Sequence, residues 1–328
     1  MTIYRKSALA AAVLALSLSA AQADTPSCSL GLMASLDMTA MPDGRFTVPV
    51  SINGAVHPFM VQTGGVFSQV APRVANALAL PQTPTRADVY GVNGKVHMNS
   101  AEVDSLKIGA IEAKRFHLAV AGTDAGYQGY DGTLDPDVLI QFDLELDFAN
   151  SKVNLFSQDH CPGKVVYWTK GAYVTLPFRM ISGPATVNHH IVFTTTLDGH
   201  DLSTDLDTSA PTTVLFHRPA VEYFGFDEKS PDVTLAPDKI DGLPVYRKRF
   251  GTLHLAGIDA PNPIIDVIPD QEMAGFHQEH SEKSRDDPIY GNMIEPSALY
   301  LGTDVLRKLH VYIAYKEHKV YATAADAH

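Results

Sequence analysis

The sequence predicts a mainly β protein with a few short helices, in which one barrel-like unit occurs twice. Short alternating apolar segments, separated by turn residues, run through residues 46–156 at the spacing of an all-β barrel or sandwich. Residues 191–199 repeat the pattern of residues 46–54 at an offset of 145. A solenoid needs three or more short units, so one long repeat indicates two similar lobes.

The chain begins with a segment that reads as a secretory signal peptide, residues 1–23. Arg5 and Lys6 give it a positive start, an apolar core follows, and Ala21-Gln22-Ala23 is a small-residue cleavage site. The apolar run is too short to form a stable transmembrane anchor. We therefore predict a periplasmic or secreted protein without a membrane span.

The two cysteines of the chain, Cys28 and Cys161, flank the first lobe, residues 24–161. An oxidising compartment favours their pairing, although two free buried thiols remain the alternative. Closing so long a loop would contribute roughly 4–5 kcal/mol in the chain-entropy model.

Turn residues and apolar runs divide the chain further. Asn53-Gly54 is a good hairpin turn, and helices are predicted at 71–79 and 137–141. A linker at 162–184 contains the single tryptophan, Trp168, and precedes the second lobe, 185–328. The predicted strands of the first lobe are 46–52, 58–61, 89–92, 95–98, 106–108, 116–120, 144–148 and 152–156.

Charge and motifs exclude several classes of function. The formal net charge of −12 argues against nucleic acid or an anionic membrane surface as partner, because both bind clustered Lys and Arg. His277 and His280 have metal-like spacing but no third ligand nearby, so the polar loop 270–296 is interpreted as solvated. We predict no metal and no cofactor.

The repeat is centred on a turn that presents a carboxylate, Asp207-Thr208-Ser209-Ala210. Its degenerate first copy is Gln62-Thr63-Gly64-Gly65, and a hairpin glycine lies eight residues upstream of each copy. Small residues let such a turn fold back with its N–H groups near the acid. The far ends of the lobes, 137–146 and 304–313, also match, at an offset of 167.

These motifs resemble the aspartic protease superfamily, in its bacterial retropepsin-like and pepsin-like forms. The resemblance implies two homologous closed-barrel lobes of the aspartic protease fold, with one catalytic aspartate from each lobe. It also implies a flap at Tyr90-Gly91 and a structural role for Gly302 in Tyr300-Leu301-Gly302. In that family Thr63 and Thr208 occupy positions that lock the two active loops together.

The first lobe departs from the family pattern at two positions. Gln62 stands where the catalytic acid is expected, and Asp135 stands where a glycine is expected. Aspartic proteolysis uses two carboxylates that share one proton, and an amide cannot take a proton from water. Without a like charge beside it, Asp207 is expected to be ionised at neutral pH and largely inert towards peptide bonds.

Asp135 has two interpretations. Its carboxyl could reach the cleft and replace the acid missing at position 62, or it could cap the short helix that begins after Pro136. A homodimer that joins two second-lobe faces would also supply a second acid, but the first lobe should already occupy that face.

The resulting prediction is an exported pseudoenzyme that binds an extended peptide or unfolded polypeptide between its lobes by strand-like pairing. The alternative is an active aspartic endopeptidase that uses Asp207 with a displaced acid such as Asp135. A purely structural role, without a ligand in the cleft, is the third possibility.

Overall fold

A computed structural model describes residues 28–91, 94–180, 189–240, 242–270 and 297–326, and the side chains of 86–97 and 238 are not described. The predicted signal peptide, His277 and His280, and nearly all of the loop 270–296 lie outside the described residues. Within the described part of the chain, no helix is both long and apolar enough to cross a membrane.

Strands dominate the described residues, and the helices are short, which confirms the predicted mainly β class. The helices are α1 Pro72–Ala77, α2 Pro136–Leu139, α3 His217–Phe224 and α4 Thr303–Leu306. The strands are β1 Leu32–Asp37, β2 Thr39–Ala40, β3 Phe46–Ile52, β4 Ala55–Val61, β5 Gln69–Val70, β6 Gln82–Gly91, β7 Gly94–Ile108, β8 Ile111–Ala121, β9 Gly132–Leu134, β10 Asp143–Asp147, β11 Lys152–Phe156, β12 Val174–Pro177, β13 Arg179–Met180, β14 Ile191–Leu197, β15 His200–Leu206, β16 Val214–Phe216, β17 Val233–Ile240, β18 Leu243–Arg249, β19 Thr252–Leu255, β20 Ile258–Pro261, β21 Ile264–Ile268, β22 Leu299–Leu301, β23 Leu309–Ala314 and β24 Lys319–Ala324.

The N-terminal sheet has the order β2-β3-β4-β9-β5-β8-β7-β6, and β3 also pairs with β7. This extra pairing closes six strands into a barrel, as the aspartic protease fold requires. Residues 94–108 form one continuous strand, so the prediction of two separate strands at 95–98 and 106–108 is wrong. Ala101 and Val103 are buried along this strand, and Glu102 and Asp104 are exposed on its other face.

The C-terminal sheet repeats the hairpin that starts the N-terminal one. Its order is β17-β18-β21-β16-β22-β15-β14-β19-β20. The β3–β4 turn has positive φ at Asn53 and Gly54 (50° and 91°), and the β14–β15 turn has it at Asp198 and Gly199 (45° and 87°). Two-residue hairpin turns of this kind match the twist of the strands, which explains the Asn-Gly and Asp-Gly pairs.

A central sheet, in the order β1-β11-β10-β23-β24-β12, combines strands from both ends of the chain. Cys28 and Cys161 form the predicted disulfide beside it. One face carries buried histidine–carboxylate contacts: His160 lies 2.6 Å from Asp143, and His310 lies 2.9 Å from Glu145. Trp168 of the linker stacks on His310 and covers this face.

Candidate active site

Two turns, one from each barrel-like sheet, meet at the candidate site. β4 and β15 end immediately before Gln62 and Asp207, and each pairs in parallel with a short strand, β9 or β22. The ends of these strand pairs place residues 62–65 and 207–210 at matching positions of the two sheets.

The two turns are joined by reciprocal hydrogen bonds between Thr63 and Thr208. Each threonine N–H donates to the other hydroxyl at 3.1 Å. The Thr63 hydroxyl donates to the carbonyl of Leu206, and the Thr208 hydroxyl donates to the carbonyl of Val61, both at 2.6 Å. Both threonines are fully buried. The hydrogen bonds therefore fix the spacing of the turns.

Asp207 lies directly against the other turn. A Cβ atom added at Gly64 would lie 2.4 Å from Cγ of Asp207, so the turn must have glycine at this position. The Oδ1 atom of Asp207 accepts hydrogen bonds from the N–H and the hydroxyl of Ser209 at 2.8 and 2.7 Å. No described residue donates a hydrogen bond to Oδ2, which leaves that atom for a ligand.

The surroundings of Asp207 correct one sequence-based expectation. Burial raises the pKa of Asp207, the Ser209 hydroxyl lowers it, and the Asp205 carboxylate raises it again. The expectation that no like charge acts on Asp207 is therefore wrong. The like charge is that of Asp205 on β15, two residues earlier in the chain.

His190 and Asp205 form a partly buried pair that was not predicted from the sequence. Nδ1 of His190 lies 2.7 Å from Oδ2 of Asp205. Val192 pairs with Asp205 in the β14–β15 hairpin, so His190 lies across from Asp207. The Asp198-Gly199 turn fixes this register, and counting back from it would have found the contact. The equivalent positions near Gln62 are Arg45 and Met60.

The pKa of His190 reflects opposing effects. Burial lowers it, but the Asp205 and Asp207 carboxylates and the Gly65 carbonyl raise it, and the net shift is upwards. The imidazolium form is therefore stabilised beside Asp207. His190, Asp205 and Asp207 thus supply three ionisable groups to the candidate site from one stretch of the chain.

Asp135 lies behind the first turn. A Cβ atom added at Gly65 would be 1.6 Å from Oδ1 of Asp135 and 3.0 Å from Cδ of Gln62. Asp135 is completely buried, accepts a hydrogen bond from the Thr133 hydroxyl, and has no described partner for Oδ1. Asp135 occupies the predicted N-cap position of α2, but its side chain makes no capping hydrogen bond to the helix. The carboxylate accepts a hydrogen bond from the Thr133 hydroxyl instead.

The sites beside α2 and α4 differ in which of two neighbouring residues is a glycine. Near α4, Ala210 has a Cβ and Gly302 has none, and a Cβ at Gly302 would lie 2.5 Å from the Thr212 backbone. Near α2, Gly65 has no Cβ and Asp135 fills the space. The same pattern of hydrogen bonds occurs beside both sites. The N–H and hydroxyl of Ser68 donate to Asp137, as those of Thr213 donate to Asp304.

Residues 48–140 match the family model described as aspartyl protease. This match supports an aspartic protease-like family. The matched range includes both departures from the family pattern, Gln62 and Asp135, and it ends within the first half of the chain. No curated protein matches the sequence.

The segment predicted to be a flap is the tip of the β6–β7 hairpin. Tyr90 pairs with Lys95 and Gly91 pairs with Gly94 in backbone register, and the side chains there lie outside the described residues. Among the described residues, no group of three or more His, Cys, Asp or Glu side chains is arranged to hold a metal ion.

Asp135→Asn is expected to change how stability depends on pH. Burial raises the pKa of Asp135 well above its usual range, although Thr133 lowers it. A raised folded-state pKa favours folding at low pH, and this contribution is lost as pH rises from about 4 through the folded-state pKa. The stability of the variant relative to the wild type should therefore increase with pH over that range.

Denaturant unfolding between about pH 4 and pH 8 measures this effect. The control is Asp104→Asn, which changes an exposed carboxylate on β7 and should leave the wild-type profile unchanged. Parallel profiles for Asp135→Asn and the wild type would contradict the assignment of a buried, destabilised carboxylate.

Proposed function

We propose that the protein is an exported, two-lobed pseudoprotease that holds an extended peptide between its lobes without hydrolysing it. The observation that carries the proposal is the presence of Gln62 on the turn that Thr63 and Thr208 bind to the Asp207 turn. The scaffold that would align two acids is intact, and one of the two side chains cannot ionise.

Hydrolysis of a peptide bond would require two groups that exchange protons with water and with the scissile carbonyl. The amide of Gln62 can orient a carbonyl or a water by hydrogen bonding, but it cannot act as an acid or a base. Asp207 retains a free oxygen, so it remains able to accept a hydrogen bond from a ligand.

The proposed mode of binding is the addition of a strand. β6 is the last strand in the order of the N-terminal sheet, and its hairpin with β7 extends to the predicted flap. An edge strand has backbone N–H and C=O groups free to pair with an extended peptide. A peptide or unfolded polypeptide is therefore the expected partner.

Two observations favour a second candidate, an active endopeptidase that uses Asp207 and Asp135. Burial raises the pKa of Asp135, the Thr133 hydroxyl lowers it, and the Asp137 and Asp207 carboxylates raise it further. Oδ1 of Asp135 also has no described hydrogen-bond partner. Against this candidate, Asp135 is completely buried behind Gly65, where water would have to enter before it could react.

One experiment separates the two candidates. The purified protein is incubated with a fluorescent unfolded polypeptide between about pH 3 and pH 7, with and without a pepstatin-type inhibitor. We expect binding, measured by fluorescence anisotropy, and no cleavage. Pepstatin-sensitive cleavage that is lost in both Asp207→Asn and Asp135→Asn would contradict the pseudoprotease and establish the second candidate.

A further inference from the structure

We propose that the cleft selects peptides with a cationic side chain, Lys or Arg, at the position that contacts Asp207, and that His190 tunes this selection. The inference rests on the proposed peptide-binding function and names the chemical class of its ligand. It depends on the carboxylate of Asp207, whose charge the neighbouring side chains do not fully offset.

Asp207 is nearly buried and has one carboxylate oxygen without a described hydrogen-bond donor. The side chain is only 8% exposed, and its Oδ1 atom is held by Ser209. Its Oδ2 atom receives no hydrogen bond from any described residue. A nearly buried carboxylate with one free oxygen favours a charged donor, because charge-assisted hydrogen bonds are about twice as strong as neutral ones.

The charged groups around this oxygen do not cancel one another. His190 contacts Asp205, which is 2% exposed and whose Oδ1 atom has no described partner. One imidazolium therefore faces two carboxylates, Asp205 and Asp207. Gln62 adds no charge from the opposite turn, and burial raises the pKa of Asp135 behind that turn well above its usual range, which favours the neutral form of its carboxyl. An ionised Asp207 thus leaves one net negative charge at this point of the cleft.

Neighbouring elements supply no further described cation to this group. Tyr300 on β22 and Tyr315 after β23 both have pKa values raised, first by burial and then by nearby carboxylates, so they stay neutral. Arg45, at the position equivalent to His190, lies 2.6 Å from Asp43 and over the Tyr130 ring. Its charge is already paired.

The preference for a cationic side chain is expected to depend on pH. When pH falls, Asp207 gains a proton and the attraction for a cation is lost. When pH rises, His190 loses its proton and no longer offsets Asp207. The preference for a cationic side chain should therefore increase with pH, and the net charge of −12 should assist the approach of basic peptides.

The test compares three peptides with the same strand-forming flanks and a central lysine, norleucine or glutamate. We expect the wild type to bind the lysine peptide about tenfold more tightly than the norleucine peptide at neutral pH, as one hydrogen bond to a charged group would give. The ratio should fall in high salt and at acidic pH. Fluorescence anisotropy measures all three affinities.

Asp207→Asn is expected to lower the affinity for the lysine peptide until it equals the affinity for the norleucine peptide. The matched control is Asp201→Asn, which changes an exposed carboxylate on the same strand and should keep the wild-type ratio. The salt and pH series on the wild type tests the inference without any variant, in case Asp207→Asn does not fold.

The outcomes separate this inference from the function on which it rests. Equal affinities for lysine and norleucine in the wild type would overturn the inference and leave the peptide-binding function in place. No binding of any of the three peptides would refute that function, and the inference with it. A preference for lysine that persists in Asp207→Asn would assign the selection to another group.

Discussion

Gln62→Asp is expected to convert the protein into an acid endopeptidase. The substitution restores a carboxylate on the turn that Thr63 and Thr208 hold against Asp207. Two carboxylates held close together by these turns would share one proton, so one could activate water while the other protonates the scissile carbonyl. A positioned acid–base group is worth about 10²–10⁴-fold in rate, and we expect a gain of that order over the wild-type background.

The control for this substitution is Gln62→Asn. Asparagine has the size and shape of aspartate but cannot ionise, so any activity due to altered packing would appear in both variants. Asp135 lies against the same turn and would add a third carboxylate. Asp135→Asn should therefore increase the activity of Gln62→Asp, since the new acid would no longer face that neighbour.

Cleavage of an unfolded fluorescent polypeptide, with and without a pepstatin-type inhibitor, measures the gain. A folded Gln62→Asp variant that binds peptide but cleaves nothing would contradict the view that only the missing carboxylate prevents catalysis. Equal activity in the Gln62→Asn control would show that the ionisable group is not the cause.

Local patterns were sufficient to predict much of the fold. The strands 46–52 and 152–156 have the bounds that the alternation of apolar residues predicts, because both have a turn on each side. The pairing of Cys28 with Cys161 also followed from compartment and position. In contrast, β7 was divided, because its alternating small and polar residues resemble a turn when the partner strands are unknown.

The site was harder to predict than the fold, because its contacts join residues that are distant in sequence. The contact between His190 and Asp205 was not predicted, because the two residues are 15 positions apart in the sequence and only the hairpin brings them together. Asp135 was placed correctly at the start of α2, but its side chain was not. A buried carboxylate binds the nearest donor, here the Thr133 hydroxyl, and no local rule identifies that donor.

The histidine–carboxylate contacts of the central sheet were equally hard to predict from the sequence. His310 contacts Glu145, which is 165 residues away, and Trp168 from the linker stacks on it. These residues alternate with apolar ones as in any amphipathic strand. Only the pairing of β10 with β23 shows that their polar faces meet inside the molecule.

Thr63→Val is expected to destabilise the protein by about 2–5 kcal/mol and to abolish peptide binding. Valine keeps the shape of threonine but lacks the hydroxyl that accepts from the Thr208 N–H and donates to the Leu206 carbonyl. Each buried group left without a partner costs about 1–3 kcal/mol. Removing both bonds also frees the Gln62 turn from the Asp207 turn, so the cleft loses its fixed width.

Thr195→Val is the matched control, because Thr195 and Thr204 form a buried hydroxyl pair within the C-terminal sheet alone, at 2.7 Å. Its substitution should cost less, since Thr204 keeps a second acceptor, the Leu202 carbonyl, and peptide affinity should not change. Denaturant unfolding and anisotropy measure the two effects separately. If both variants lost stability equally and kept their affinity for peptide, the threonine bonds would be ordinary core contacts. In that case the width of the cleft would have to be fixed elsewhere, most directly by the β10–β23 pairing.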